Sequence, residues 1–169
     1  YELDWTHMYL PKFPDLAEGE TSEERFRKEC ELGLVKRYGD DWQNVVINEI
    51  NVKDRFEYEY DIICKKGFAD YFLIVQEYVR WAKENGIGVG PGRGSAAGAI
   101  VAYAMDITSF DPLENGLMFE RFLSPQRSEM PDIDMDFDDE RRLEVVEHVR
   151  QIYGSERVSH VITYSTIKA

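Results

Sequence analysis

The segment MPDIDMDFDD, residues 130–139, constrains the fold more than any other part of this 169-residue chain. Between residues 132 and 137, aspartates alternate with Ile133, Met135 and Phe137. Because successive side chains of a β-strand point to opposite faces, the alternation predicts a strand with one apolar face and one carboxylate face. Neighbouring carboxylates there repel each other by about 3 kcal/mol at an effective dielectric constant of about 20. Aspartate is also a poor strand former. The carboxylate face is therefore expected to bind cations, with a simply solvated strand as the alternative.

The chemistry of this carboxylate face favours magnesium. Hard divalent cations prefer oxygen ligands, and carboxylates two residues apart on one strand can hold two ions for displacement at phosphorus. Calcium is disfavoured because the ligand pattern of an EF-hand is absent. Zinc is disfavoured because no cysteine lies near the strand and the histidines, His7, His148 and His160, are scattered.

A glycine-rich segment is the second informative feature. GIGVGPGRGSAAGAIVAYAM begins at Gly86 and has six glycines within residues 86–98. Such a turn ahead of a helix lets backbone N–H groups converge on an anion. The pattern matches neither the dinucleotide-binding fingerprint nor the P-loop. Arg93 and Ser95 favour a phosphate site, whereas a loop forced by close packing is the alternative. Arg121, in FERFL, is a further candidate phosphate contact, with a surface salt bridge as its alternative. The two motifs together describe a site for a metal-bound triphosphate.

The rest of the chain predicts a helical scaffold and a second strand. Helix boundaries are indicated by capping residues and glycines. Three helices are expected before the glycines: from Thr21 to about Gly39, from about residue 52 to 66, and from Asp70, as N-cap, to Gly86. Another begins near Ser95, a short one lies in DPLENGLMFERFLS, and a last one runs from Asp138, as N-cap, to Gly154, with an apolar stripe of Leu143, Val146, Val149 and Ile152. RVSHVITY is expected to form the second strand.

Composition limits the function classes. The net charge is −13, which argues against a general nucleic-acid-coating surface. With 43% hydrophobic residues and no apolar run long enough to cross a membrane, the chain is expected to be soluble.

Cys30 and Cys64 are interpreted as reduced, packed thiols of a cytosolic protein. Both chain ends look cut, which indicates a fragment of a larger protein.

Three segments together resemble a known family. GVGPGRGSAAGAIVAYAMDIT, DPLENGLMFERFLSPQR and MPDIDMDF are similar to the palm of bacterial DNA polymerase III α subunits, the family C replicative polymerases. The flanking GFADYFLIV and VSHVITYSTIKA resemble that family as well. The resemblance covers the chain from about Lys66 to its end, and the first third is looser.

The resemblance implies phosphate contacts at definite positions. The family's Gly-Ser pair falls on Gly94 and Ser95, which are implied to contact the phosphates of the incoming deoxynucleoside triphosphate. The arginine of ERF falls on Arg121, which is implied to touch the triphosphate, and Arg93 is a further candidate.

The resemblance also implies the catalytic metal ligands. Two of the family's three catalytic aspartates fall on Asp132 and Asp134, as ligands of two Mg²⁺ ions for which Mn²⁺ can substitute. Asp136 belongs to the same motif but ranks below these two, between a metal ligand, support of the site and simple exposure. The third aspartate is implied to lie beyond Ala169, so the isolated chain is expected to be inactive.

The implied fold is α+β, a polymerase-β-like nucleotidyltransferase palm with a small mixed sheet packed against several helices. Residues 1–20 are expected to be a linker from an upstream domain, and residues 21–169 the palm. Within the palm, about 21–86 is helical, about 87–157 binds nucleotide and metal, and about 158–169 leads towards the thumb. The implied setting is the cytoplasm, and the implied partners are primer-template DNA and, in the full-length protein, the sliding clamp and other replisome subunits, with no membrane. A two-metal nuclease and a non-catalytic nucleotide- or cation-binding module remain the alternatives.

Overall fold

The computed structural model describes residues 10–126 and 130–159. Its helices and strands are α1 (Ser22–Tyr38), β1 (Val46–Ile47), β2 (Ile50–Asn51), α2 (Val52–Lys65), α3 (Ala69–Glu84), α4 (Ile100–Ala104) and α5 (Arg142–Tyr153). Short 3₁₀ turns lie at Trp42–Asn44, Gly94–Gly98, Phe119–Arg121 and Ser155–Arg157.

The predicted limits of the first two helices are confirmed. In α1 the Thr21 side chain accepts a hydrogen bond from the Glu24 N–H, while the Glu24 carboxylate accepts from the Thr21 N–H, and Gly39 follows the last turn. This reciprocal arrangement satisfies two N–H groups that the helix itself leaves free. α2 ends at Lys65, close to the predicted end, after Asn51 caps its start.

The start of α3 differs from the prediction. Asp70 lies inside the first turn, since the helix begins at Ala69 after Phe68. Its carboxylate instead accepts hydrogen bonds from the Phe13 N–H at 2.8 Å and from the Ser22 hydroxyl at 2.6 Å. Asp70 therefore ties the segment before α1 to α3. An apolar stripe of α3 faces the core, because Phe72, Val75, Val79 and Ala82 are all buried.

The last helix also begins later than predicted and buries a different face. α5 starts at Arg142, and Asp138 instead closes the preceding turn by accepting from the Glu140 N–H. Leu143 and Ile152 were expected in the core but are 64% and 37% exposed, whereas Val145 and Tyr153 are buried. The reason lies in packing against α3, where the His148 ring stacks on Trp81 at 4.1 Å between ring centroids. Gly154 ends the helix as predicted.

The centre of the molecule is the short helix α4, which packs against α1 and α2. Ile100, Val101 and Ala102 are fully buried in the main hydrophobic core. The helix expected to start near Ser95 begins later, at Ile100, since a 3₁₀ turn at Gly94–Gly98 precedes α4. The expected helix in DPLENGLMFERFLS is likewise limited to a 3₁₀ turn.

The sheet within the described residues is a two-stranded antiparallel hairpin. β1 pairs with β2 in the register Val46↔Asn51 and Ile47↔Ile50. The aspartate segment is extended but is not a member of this sheet, so the expected mixed sheet is not observed there. Most of the predicted RVSHVITY strand lies outside the described residues. The helices and the hairpin are compatible with the predicted α+β class.

Two further expectations can be compared with the structure. Cys30 and Cys64 are both free, and Cys30 is buried. Across residues 10–126 and 130–159, none of the helices combines the length and the apolar character needed to span a membrane.

Candidate functional site

The glycine segment and the aspartate segment lie side by side. Isolated antiparallel bridges join Val89 to Phe137 and Arg93 to Asp134. Between these bridges, the Gly90 N–H donates to the Asp136 carbonyl at 2.8 Å. Two motifs that are far apart in the sequence therefore form one site, held together by backbone hydrogen bonds.

The predicted alternation of faces in the aspartate segment is confirmed. Asp132, Asp134 and Asp136 are exposed. Ile133 is 8% exposed and belongs to the main core, against which Met135 and Phe137 also pack. The buried apolar face thus fixes the segment in place and leaves all three carboxylates on the solvent side.

Gly94 lies directly against one of these carboxylates. Its φ of +71° is a left-handed conformation that side chains disfavour. A Cβ built on Gly94 would lie 3.4 Å from Asp134 Oδ2. Glycine at this position therefore brings the start of the Gly94–Gly98 turn close to the aspartate face.

A cleft of about 430 Å³ opens beside the same turn. Its lining includes three residues predicted to contact phosphate, and the full set is Gly94, Ser95, Gly98, Gly116, Leu117, Met118 and Arg121. A Cβ on Gly98 would lie only 2.7 Å from the Met118 carbonyl oxygen. Close packing, the alternative interpretation of the glycines, thus accounts for Gly98, where the two walls of the cleft meet.

The arginines predicted to bind phosphate differ in their partners. Arg121 has no acidic partner within the described parts of the chain, so the surface salt bridge considered for it is not observed there. Arg93 Nε lies 3.0 Å from Asp136 Oδ2, and both side chains are more than half exposed. An exposed ion pair contributes only about 0–1 kcal/mol, so it does not prevent Arg93 from binding another anion.

Residues 24–169 match the protein family described as the bacterial DNA polymerase III alpha NTPase domain. The chain belongs to this family. The resemblance predicted from the sequence motifs is thereby confirmed.

Proteins named DNA polymerase III subunit alpha are similar over nearly the whole chain. The Aquifex aeolicus protein is 48% identical over 166 residues, which cover 95% of this chain and 13% of that protein. The Mycobacterium tuberculosis protein is 47% identical over 159 residues, or 94% of the chain and 13% of that protein. The Escherichia coli O157:H7 protein is 46% identical over 165 residues, or 95% of the chain and 14% of that protein. The chain thus spans about one seventh of the length of these relatives.

Two of the carboxylates predicted to hold metal are available for a ligand. Asp132 and Asp134 have no hydrogen bond or ion pair through their side chains within residues 10–126 and 130–159. Their oxygens are of the kind that Mg²⁺ prefers. However, the described residues do not contain a group of three or more acidic, His or Cys side chains arranged to hold a metal ion. The donor set therefore fits a divalent cation, but it is a partial set.

Tyr71, on α3, is a residue of the candidate site that the sequence motifs did not predict. Its hydroxyl oxygen accepts a hydrogen bond from the Ile133 N–H at 3.2 Å, between the two aspartates. Burial raises the pKa of Tyr71, and the carboxylates of Asp132 and Asp134 raise it further, against the effect of the Ile133 hydrogen bond. The protonated hydroxyl can therefore donate to a group held at the aspartate face. Its position on a helix of the scaffold gave no signal of this.

Proposed function

We propose that this chain forms the palm of a replicative DNA polymerase, which transfers deoxynucleotides to a primer 3′-hydroxyl under the direction of a template. The observation that carries the proposal is the pairing of the glycine and aspartate segments. It brings Gly94, at the edge of the cleft, against the Asp134 carboxylate. A triphosphate in the cleft would therefore lie next to the Asp134 carboxylate, whose side chain has no partner among the described residues.

The phosphate-binding roles fall to the residues around the cleft. Gly94, Ser95 and Arg121 line it, and all three are exposed. The Ser95 hydroxyl and the Arg121 guanidinium would donate hydrogen bonds to phosphate oxygens, with Arg93 as an additional donor from the edge of the site. Arg121 is suited to this, because the described residues offer it no acidic partner and no ion pair with them must be broken first.

The metal-binding roles fall to Asp132 and Asp134, and Asp136, which pairs with Arg93, ranks below them. These carboxylates would hold two Mg²⁺ ions, for which Mn²⁺ can substitute. When bound, such ions stabilise the negative charge of the phosphoryl group during in-line displacement. The role of the chain is then to position the triphosphate and to supply fixed carboxylates.

The remaining parts of the proposal concern the whole protein. Residues 21–169 would form a polymerase-β-like palm and residues 1–20 a linker, within a cytoplasmic enzyme that acts on primer-template DNA with a sliding clamp. The third catalytic carboxylate would lie beyond Ala169. The isolated chain should therefore fail to extend a primer, and extension that Asp132→Asn abolishes would overturn this part of the proposal.

The test of the site is a titration of the chain with dATP and Mn²⁺. Binding should weaken when Ser95 is changed to alanine, because the cleft loses a phosphate donor. Ser155→Ala is the matched control, since Ser155 is also exposed and lies after α5, away from the cleft. Equal dATP affinity in the wild type and Ser95→Ala would contradict the proposal.

The alternative function is a non-catalytic nucleotide- or cation-binding module. It is favoured by the partial set of metal ligands among the described residues. Mn²⁺ binding that Asp134→Asn abolishes, together with no effect of dATP on that binding, would support a cation-binding module instead.

A further inference from the structure

Two charged side chains of α2 lie beneath the cleft and belong to none of the sequence motifs. Arg55 and Glu59 are one helical turn apart, and Arg55 Nε lies 2.7 Å from Glu59 Oε1. The Glu59 side chain is 0% exposed and the Arg55 side chain 12%. Charges are buried in this way only with partners, because removing them from water is costly.

Glu59 is bound to the start of α4. Its two carboxylate oxygens accept hydrogen bonds from the Ile100 N–H at 3.1 Å and from the Val101 N–H at 3.2 Å. α4 directly follows the Gly94–Gly98 turn, so Glu59 fixes the end of that turn relative to α2.

Arg55 is bound to both walls of the cleft. Its Nη2 donates to the Gly98 carbonyl at 2.8 Å and to the Leu117 carbonyl at 3.1 Å. Gly98 lies on the wall that carries Ser95, and Leu117 lies on the wall that carries Arg121. A single guanidinium therefore joins the two segments from which the candidate phosphate donors extend.

The stability of the fold does not by itself require an ion pair at Arg55 and Glu59. Buried ion pairs can often be replaced by apolar side chains of similar volume without loss of stability. The specific property of Arg55 is geometric, since its planar guanidinium holds a carboxylate and two carbonyls in fixed directions at once. A lysine has the same charge but cannot maintain all of these directions.

We propose that Arg55 and Glu59 are positioning residues of the nucleotide cleft, which hold the Ser95 wall and the Arg121 wall at the separation that one triphosphate requires. This inference rests on the proposed nucleotide-binding function, but its contacts are independent of the aspartates. Neither residue lines the cleft, so each acts through the walls that it holds.

The test is Arg55→Lys in the full chain, with dATP and Mn²⁺ as the probe. Affinity for dATP should fall about tenfold, as expected for the loss of one charge-assisted hydrogen bond. Affinity for Mn²⁺ alone should not change, because Asp132 and Asp134 are on another segment. A purely structural role would affect both. Arg27→Lys is the matched control, since Arg27 also pairs with glutamates, Glu31 and Glu57, but away from the cleft.

A second measurement keeps the inference separate from the proposed function. Hydrogen exchange should become faster in Arg55→Lys at the amides of Ala99 and Leu117, which form hydrogen bonds within the two walls. Exchange in α1 and α3 should be unchanged. If the wild type does not bind dATP, the proposed function fails, and the exchange result alone decides whether the pair couples the walls. Unchanged exchange at both amides, or unchanged dATP affinity in a binding-competent chain, would overturn the inference.

Discussion

Two acidic regions of this molecule differ in the surroundings of their carboxyl groups. Glu59 is fully buried and accepts hydrogen bonds from Arg55 and from the amides of Ile100 and Val101. Asp132 and Asp134 are exposed and have no cationic partner among the described residues. The buried carboxyl has its hydrogen-bond partners within the fold, as a group that holds structure requires. The exposed pair is left for a ligand to compensate. The difference separates a positioning site from a binding site.

The largest expected effect is a loss of stability when the buried Glu59 is substituted. Glu59→Ala leaves the Arg55 Nε–H and two backbone N–H groups without their acceptor. Removing one partner of a buried ion pair costs about 3–5 kcal/mol. The free energy of unfolding in urea should fall by that amount. Replacing both Arg55 and Glu59 by methionine should lower the free energy of unfolding by clearly less than Glu59→Ala does. An equal loss would contradict the interpretation of Arg55 and Glu59 as a buried ion pair.

The next effect is a pH dependence that belongs to Glu59. Burial raises the pKa of its carboxyl from 4.5 to about 7, against the opposing effects of Arg55 and the Ile100 and Val101 amides. Since the pKa is higher in the folded than in the unfolded state, the folded state binds this proton more tightly. The stabilisation is fully present below about pH 4.5 and is lost as the pH rises through about 7.

The size of this effect follows from the shift. At about 1.4 kcal/mol per pKa unit, the contribution is about 3 kcal/mol. Urea unfolding of the wild type and of Glu59→Gln should be compared at pH 5 and pH 8. The wild type should lose more stability than the variant between these values, and the comparison cancels the contributions of all groups that the two proteins share. Parallel pH profiles would show that the pKa of Glu59 is not raised by folding.

How far the sequence could predict the fold depended on the range of the interactions. The start of α1 was predictable because its capping box involves only Thr21 and Glu24. The ends at Gly39 and Gly154 were predictable for the same reason. The start of α3 was not, because Asp70 accepts hydrogen bonds from Phe13 and Ser22, far away in the chain.

The candidate site shows the same limit. Alternation alone predicted which side chains of the aspartate segment face solvent. It could not predict the pairing with the glycine segment, since that register depends on contacts distant in sequence. Nor could it reveal Tyr71, Arg55 or Glu59, because helix patterns indicate which face is apolar but not which polar group it contacts. The buried face of α5 was predicted incorrectly for a similar reason, since the stacking of His148 on Trp81 is a tertiary contact.

The smallest expected effect on stability concerns the exposed aspartates, and it is an increase where the changes at Glu59 give a decrease. Asp134→Asn removes one of three like charges from an exposed face, so the free energy of unfolding should rise slightly, by about 0.5 kcal/mol at low salt. Added salt should reduce this gain. Glu18→Gln, at an exposed position outside the aspartate segment, is the control and should change stability less.

The same variant tests why the charge is retained. Asp134→Asn should weaken Mn²⁺ binding by at least about tenfold, because a neutral amide is a poorer ligand for a hard cation than a carboxylate. A variant that is more stable but binds cation less well indicates a position where stability is given up for function. If Asp134→Asn is instead destabilised and binds Mn²⁺ as the wild type does, the aspartate face contributes to the fold in the same way as Glu59, and the distinction between the two acidic regions fails.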